Sequence, residues 1–368
     1  MLLAGETMNH RKLRVGVIGA GHLGTIHTRL IKTIDEVQLV GVTDPSPAAR
    51  QRIANELEVA VFEDHRPMLG KIDAAILAAP TDHHYWIGME LAQAGIHLLV
   101  EKPLTMTVAE ADALIRAARA RQLVLQVGHV ERFNPAFTTA AAQLQRPRYI
   151  EAVRASGYTG RSIDVGVVLD LMIHDIDLVL SLVPSEVVSV EALGTAVLGP
   201  HEDLAHARLR FANGCIANLN ASRVSYENRR HMQVFAENAF ASIDFGAATT
   251  KIVRPSQQVR RGEIDFHSLS PEQQQHVREN FFTEIMPMEA LQVERRNAIL
   301  DEQHDFVISI RTGQTPQVTG QQGRQALAIA EQILLQIASP ALPAAVGAPL
   351  DGPHWNVAGD AQPQRRAG

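Results

Sequence analysis

Three short runs of this chain combine residue types and spacings that could do chemistry. The first is Gly19-Ala20-Gly21-His22-Leu23-Gly24. In a Gly-x-Gly-x-x-Gly run the first glycine permits a tight turn. The second lets the backbone approach a pyrophosphate, and the third allows close packing of helix on strand. A helix opening at His22 and Leu23 would add free N–H groups and a dipole that favours phosphate. Asp44 follows about 20 residues later, where a carboxylate binds the adenosine ribose hydroxyls and repels a 2′-phosphate. No arginine lies immediately beyond it to neutralise that charge. The pattern predicts NAD rather than NADP, although Asp44 before Pro45 would also suit a plain turn.

The second run is Glu101-Lys102-Pro103. Proline confines the residue before it to extended geometry, which gives Lys102 a fixed direction. An ammonium there could donate to a substrate hydroxyl and stabilise developing alkoxide charge; a solvated surface lysine would have the same sequence. The third run is Asp170-Leu-Met-Ile-His174. On a helix, i, i+4 spacing puts both side chains on one face. The carboxylate would then fix the imidazole's tautomer and raise its basicity, as a base acting on an alcohol requires. Asp177 could cap this cluster from the other side, and Asp175 reads as structural. A satisfied pair in the core is the alternative, and a metal site another. No third ligand stands at recognisable spacing, so no metal is predicted.

These runs need elements to position them. Leu13 to Ile18 reads as an apolar strand, followed by the glycine turn and a helix from about Leu23 to Thr33. Strands at Gln38 to Thr43, Ala74 to Ala78, His97 to Val100 and Val124 to Val127 alternate with helices. Ser46-Pro47 marks one helix start, and Thr107 with Glu110 forms a capping box at another. Repeated strand–helix–strand units call for a parallel, doubly wound sheet. After Gly128 the grammar changes. A short helix starts at Asn134-Pro135, a strand follows at Tyr149 to Ser156, and an apolar helix covers Val168 to Leu182. From Val187 to Val253 alternating strands follow one another without helices, turning at Asn213-Gly214, which predicts an antiparallel sheet. Two helices come next, near Val293 to Thr312 and Gly320 to Ile337. The polar segment from Pro255 to Gln292 matches no signature, and the Pro/Ala/Gly-rich tail from Ser339 is expected to be disordered.

The expected class is therefore α/β: a Rossmann dinucleotide-binding domain at residues 10–128, then an α+β domain at 129–338 with a large, mainly antiparallel sheet, then the tail 339–368. A chain of 368 residues, 46% hydrophobic and 20% charged, is long and apolar enough for two such cores. A net charge of -6 predicts no pull toward nucleic acid or anionic membrane. Phosphate would have to be met by local donors. The single cysteine, Cys215, excludes an intrachain disulfide. No apolar stretch reaches about 18 residues, and the N-terminus lacks a basic start, so a cytoplasmic location is expected.

The glycine turn, Glu101-Lys102-Pro103 and the Asp170/His174 helix, in this order, resemble the glucose–fructose oxidoreductase / inositol dehydrogenase / rhizopine catabolism (Gfo/Idh/MocA) family over nearly the whole chain to Ile337. Two longer runs look like its UDP-N-acetylglucosamine 3-dehydrogenase branch: Val127-Gly-His-Val-Glu-Arg-Phe-Asn-Pro135, and Gly160-Arg-Ser-Ile-Asp164 leading into Val168 to Asp177. The resemblance implies NAD-dependent oxidation of a C3 hydroxyl to a ketone. A partner aminotransferase would convert that ketone into a 3-amino sugar for lipid A-type glycolipids. It makes Lys102 and His174 the catalytic pair, with Asp170 supporting His174. Pro80, Thr81, His84 and Glu101 join Gly19, Gly21, His22, Leu23, Gly24 and Asp44 as cofactor residues. Arg132, Asn134, Arg161, Ser162 and Asp164 become candidates for the sugar and diphosphate, a role that suits the two arginines by charge and bidentate geometry. A homo-oligomer, dimer or tetramer, is expected through the outer face of the C-terminal sheet. Two rival functions remain at this stage: a dehydrogenase of a free cyclitol, an aldose or a UDP-sugar acid, and a non-catalytic NAD-binding regulator.

Overall fold

The computed structural model describes residues 11–158, 160 and 165–338. Six strands form the first sheet: β1 (Leu13–Ile18), β2 (Val37–Thr43), β3 (Val61–Phe62), β4 (Ala74–Leu77), β5 (His97–Glu101) and β6 (Leu125–Gly128). All are parallel, in the order β3-β2-β1-β4-β5-β6. Their connections carry α1 (His22–Ile31), α2 (Pro47–Leu57), α3 (Thr81–Gln93) and α4 (Val108–Ala120). Because helices cover both faces, the central strands read as unbroken apolar runs; β4 is buried at every position. Ser46 Oγ accepts from Ala49 N at the start of α2, and Thr107 and Glu110 cap α4 reciprocally. The winding reverses between β1 and β4, which opens a crevice at the strands' C-terminal ends.

The second sheet is built on α5 (Pro135–Ala141), β7 (Pro147–Ala155) and α6 (Ile173–Leu182), then β8 (Val187–Thr195), β9 (Leu204–Phe211), β10 (Ile216–Ser222), β11 (Arg229–Ala236), β12 (Phe240–Asp244) and β13 (Thr249–Val253). The polar segment that matched no signature forms α7 (Gln257–Arg260), α8 (Pro271–Glu279) and an edge strand, β14 (Met288–Leu291). Neither α7 nor α8 buries a residue, so neither carries an apolar period for sequence reading to find. The eight strands run β14-β13-β12-β11-β7-β10-β9-β8, antiparallel except for β7 against β10. Alternate residues of β7, β10 and β12 are buried, and α6 packs over the inner face through Ile173, Ile176 and Val179. A wide π-helical turn, Val168–Met172, leads into α6 where an unbroken helix was expected.

The chain then returns to the first sheet. In α9 (Ala298–Thr312) the fully buried Phe306 joins Val15, Val17, Ile31 and Leu99 in one apolar cluster. α10 (Gly320–Ala338) packs on α4, α6 and β8, bridging both sheets. The first core is thus completed by residues some 300 positions downstream of β1. The expected tail from 339 lies outside the described residues. Phe306→Ala should lower the unfolding free energy by about 3–5 kcal/mol, the usual cost of emptying a phenylalanine site. Urea denaturation measures this, and a loss under about 1 kcal/mol would show that α9 is not part of that core.

Candidate active site

Each glycine of the turn after β1 has its own reason. Gly19 has φ +103°, and a Cβ there would lie 2.4 Å from the Ala78 carbonyl oxygen. A Cβ on Gly24 would lie 1.9 Å from the Gly19 oxygen, so this glycine serves packing. Gly21 has nothing within 4 Å of its ideal Cβ position. It caps α1 without a side-chain hydrogen bond, which leaves the first N–H groups of that helix directed at open space. Asp44, at the end of β2, is held by two backbone donors: Ala20 N to Oδ2 and Ser46 N to Oδ1, each 2.8 Å. Arg50 and Arg52 reach this corner from α2, where Arg50 donates to the Asp44 and Pro45 carbonyls and Arg52 to that of Ala20. An anion-seeking helix end, an open approach at Gly21 and a fixed carboxylate are the features that fit a dinucleotide diphosphate and its ribose.

A cavity of about 900 Å³ runs from this corner to the second sheet. Gly19, Gly21, His22, Leu23, Asp44, Pro80 and Glu101 line its first-sheet side, and Lys102, Asp170 and His174 meet at its far end. Lys102 Nζ donates to the Asp170 carbonyl oxygen at 2.6 Å and to Asp170 Oδ1 at 3.1 Å. The expected Asp170–His174 contact is not made. A carboxylate gains more from an ammonium than from an unprotonated imidazole, and Lys102 takes it. His174 Nδ1 is buried without a partner among the described residues. Burial, followed by the charges of Lys102, Arg154, His129 and Arg230, holds the imidazole well below its ordinary pKa. It therefore stands unprotonated at neutral pH.

Two residues that sequence reading did not single out complete this end. Arg154 of β7 is buried between Asp175, which it meets through two bonds of 2.8 and 3.1 Å, and Glu131 at 2.8 Å. Arg230 of β11 is its cross-strand neighbour and lines the cavity, with half its side chain exposed and Glu131 3.9 Å away. Both arginines fall on the buried phase of alternating strands, among Ile150, Ala152, Met232 and Val234. A charge in an inward register was the signal available.

Several expected site residues do other work. His84 is buried against α3's own start, with Nδ1 2.9 Å from the Pro103 oxygen and Nε2 2.9 Å from that of Ala79. It braces the Pro103 turn outside the cavity. Thr81 lines a smaller neighbouring cavity with Lys102 and Asp170. Arg132 turns away, its Nε 2.9 Å from Asp177 Oδ2, so Asp177 does not cap His174 either. Asn134 caps α5 at Ala136 N and donates to Glu131 Oε2. Neither Arg132 nor Asn134 lines the cavity, because each has a buried carboxylate to satisfy. Arg161, Ser162 and Asp164 lie outside the described residues. Behind Glu101 sits a buried cluster that sequence reading missed: His27 Nε2 is 2.7 Å from Glu101 Oε1, and Glu302 lies close by with both carboxyl oxygens unpartnered.

A doubly wound sheet with a diphosphate-fitting turn, sharing one cavity with an ammonium and an imidazole, defines a dinucleotide-dependent oxidoreductase. The comparisons agree. Residues 13–129 match the family model "Oxidoreductase family, NAD-binding Rossmann fold", and residues 128–242 match the GFO/IDH/MocA C-terminal domain. The chain belongs to the Gfo/Idh/MocA family. It is 36% identical over 326 residues to the UDP-N-acetylglucosamine 3-dehydrogenase of Acidithiobacillus ferrooxidans, covering 88% of this chain and 97% of that one. A solved structure of that enzyme superposes with a TM-score of 0.77 over 89% of this chain and 98% of its own. The myo-inositol 2-dehydrogenase of Thermotoga maritima is 25% identical over 342 residues, 86% of this chain and 93% of that one. A scyllo-inositol dehydrogenase from Lactobacillus casei, solved with NAD(H) and scyllo-inositol, shares the fold with a TM-score of 0.70 at 21% identity over 89% and 97% of the two chains.

Arg154→Met should destabilise the protein by about 3–5 kcal/mol, because it leaves Asp175 and Glu131 buried without their counter-charge. The midpoint of chemical denaturation reads this. An unchanged midpoint would mean that water reaches both carboxylates.

Proposed function

We propose that the chain oxidises the C3 hydroxyl of UDP-N-acetylglucosamine, or a close UDP-amino sugar, with NAD as acceptor. The observation that carries this reading is the meeting of Lys102 from the first sheet and His174 from the second at the end of the NAD crevice. The 36% identity to an enzyme named for that reaction, across nearly the full length of both chains, supports the choice of substrate. NAD, when bound, supplies the hydride acceptor. His174, with its Nδ1 buried, turns Nε2 to the cavity and takes the hydroxyl proton there. Lys102, held by Asp170, donates to the same oxygen as charge develops on it. Arg230 takes the phosphate-binding role first expected of Arg132, and Arg161, Ser162 and Asp164 remain candidates for the sugar and diphosphate. Residues 10–128 form the cofactor unit and 129–338 the substrate and assembly unit.

The same proposal carries a place for the reaction. The ketone goes to an aminotransferase that makes a 3-amino sugar for lipid A-type glycolipids, in the cytoplasm. No helix among the described residues is long and apolar enough to cross a membrane. The outer face of the second sheet, with Tyr149, Phe235 and Phe240 in ring contact, supports association of copies into a homo-oligomer.

Turnover should be seen as NADH absorbance with UDP-N-acetylglucosamine, coupled to an aminotransferase to draw off the ketone. Its uronic acid and myo-inositol should react far more slowly. Lys102→Ala and His174→Ala should each lower kcat by at least about 100-fold. A preference for inositol would move the chain to the cyclitol dehydrogenases, and tight NAD binding with no hydride transfer to any sugar would make it a regulator.

The pH profile has a stated sign. A free imidazole is half protonated near pH 6.5. Burial and the neighbouring charges of Lys102, Arg154 and Arg230 lower His174 below that, so the acid limb of kcat/KM should fall below pH 6.5. Activity already halved at pH 7 would contradict that environment.

A further inference from the structure

With Asp170 bound to Lys102, His174 lacks the carboxylate that would orient it. The group that faces it is another imidazole. His129 follows β6 directly, is 1% exposed, and has no hydrogen-bond partner among the described residues for either ring nitrogen. Its ring stands 6.4 Å from that of His174, centroid to centroid, at an interplanar angle of 85°. Three of the seven buried polar atoms without a partner among the described residues therefore belong to this one pair of rings. Unpartnered buried nitrogens are rare enough to require an explanation, and two sets facing each other supply one.

We propose that His129 is a positioning residue for His174: it accepts, through one bridging water, a hydrogen bond from His174 Nδ1–H and so fixes the tautomer whose Nε2 is free to take the substrate proton. The separation of the rings is too long for a direct bond and suits a single water between two nitrogens. The water also explains why a neutral residue stands here. A carboxylate at Nδ1 would share this pocket with Lys102, Arg154 and Arg230 and would be drawn to one of them, as Asp170 has been. An imidazole has no such competitor. The carboxylate that acts on it most, Asp177, is already paired with Arg132. When His174 takes a proton at Nε2, both of its nitrogens carry hydrogen, and His129 is the acceptor that keeps Nδ1–H satisfied in the buried position.

This inference rests on the reading of His174 as the proton acceptor, and the test separates the two. Nitrogen-15 NMR of histidine-labelled protein reads the tautomer directly, without turnover. In the unaltered protein His174 should be a single tautomer protonated at Nδ1. The other tautomer would overturn the proposal whether or not any variant folds. His129→Phe, which keeps ring volume and removes the acceptor, should leave His174 in mixed tautomers. It should also lower kcat by at least about tenfold with KM within threefold, a part of the 100-fold or more that the base itself contributes. His129→Gln, which restores an acceptor, should recover part of both. Asp170→Asn should leave the His174 tautomer unchanged. If Asp170→Asn scrambles the tautomer and His129→Phe does not, the orienting group is Asp170 after all. A tautomer signature as described in a protein that oxidises no sugar would uphold the His129 contact and sink the dehydrogenase reading alone.

Discussion

One contact ties the two sheets into a single site: the Lys102 ammonium against the carbonyl and carboxylate of Asp170. Lys102 follows the last residue of β5, and Asp170 sits in the wide turn that opens α6. Both groups are mostly withdrawn from solvent, with side-chain exposures of 12% and 22%. A pair so placed contributes little net stability, because desolvation offsets much of the attraction, but losing one partner strands the other. Its value is geometric. It fixes where the turn before α6 lies over the crevice, and His174 follows one helical turn later. Lys102 and His174 thus come to a common place because Asp170 binds one of them and precedes the other in the chain.

Around this contact the charges are arranged so that His174 is ringed by cations whose own counter-ions point elsewhere. Arg154 is answered by Asp175 and Glu131, and Glu131 is held in turn by Asn134. Among the described residues Arg230 has no close partner of its own beyond the 3.9 Å approach to Glu131. The imidazole is kept unprotonated, which a proton acceptor requires, but the same field weakens it as a base. An anion seated against Arg230 offsets part of that field. Under the proposed function, a substrate carrying phosphates would therefore strengthen His174 as a base in the act of binding, while a neutral cyclitol would not. This is a physical reason, separate from sequence identity, for a nucleotide sugar to suit the cavity better than inositol.

What the sequence disclosed and what it withheld divide along the range of the interactions. The glycine turn, the caps at Ser46 and Thr107, and the strands of the first sheet were legible because each depends on neighbours within a few residues. Lys102, Asp170 and His174 were legible as residue types, and all three line the cavity. Their pairing was not, since i, i+4 spacing says nothing about an ammonium arriving from 68 positions away. Arg132 and Asn134 were expected at the sugar and diphosphate, and their pairing with Asp177 and Glu131 was hidden for the same reason: those partners are assigned by the fold. Arg154 and Arg230 were missed because strand alternation was read for apolar residues alone. His84 stands next to the right loop but faces two carbonyls across the Pro103 turn, a contact that no spacing announces.

The return of α9 to the first sheet explains how Glu101, immediately before Lys102, is kept in place. Gln303 Nε2 lies 2.8 Å from His27 Nδ1 and 3.1 Å from the His27 carbonyl oxygen. A carbonyl only accepts, so the amide nitrogen is correctly turned, and His27 Nδ1 must accept as well. That leaves His27 Nε2 to donate to Glu101 Oε1, while Glu101 Oε2 accepts from the Lys102 backbone N–H at 3.2 Å. Burial opposes the Glu101 charge, but the His27 bond, helped by the Lys102 charge, outweighs it and holds the carboxyl below its usual range. Glu302, beside it, is driven the opposite way, well above that range, by burial and by the Glu101 charge. Two carboxyls in one dry pocket cannot both ionise, and the one with hydrogen-bond donors keeps the charge. The position of Lys102 is therefore set from both sides, by Asp170 at its ammonium and, through Glu101 and His27, by a helix from the far end of the chain at its backbone.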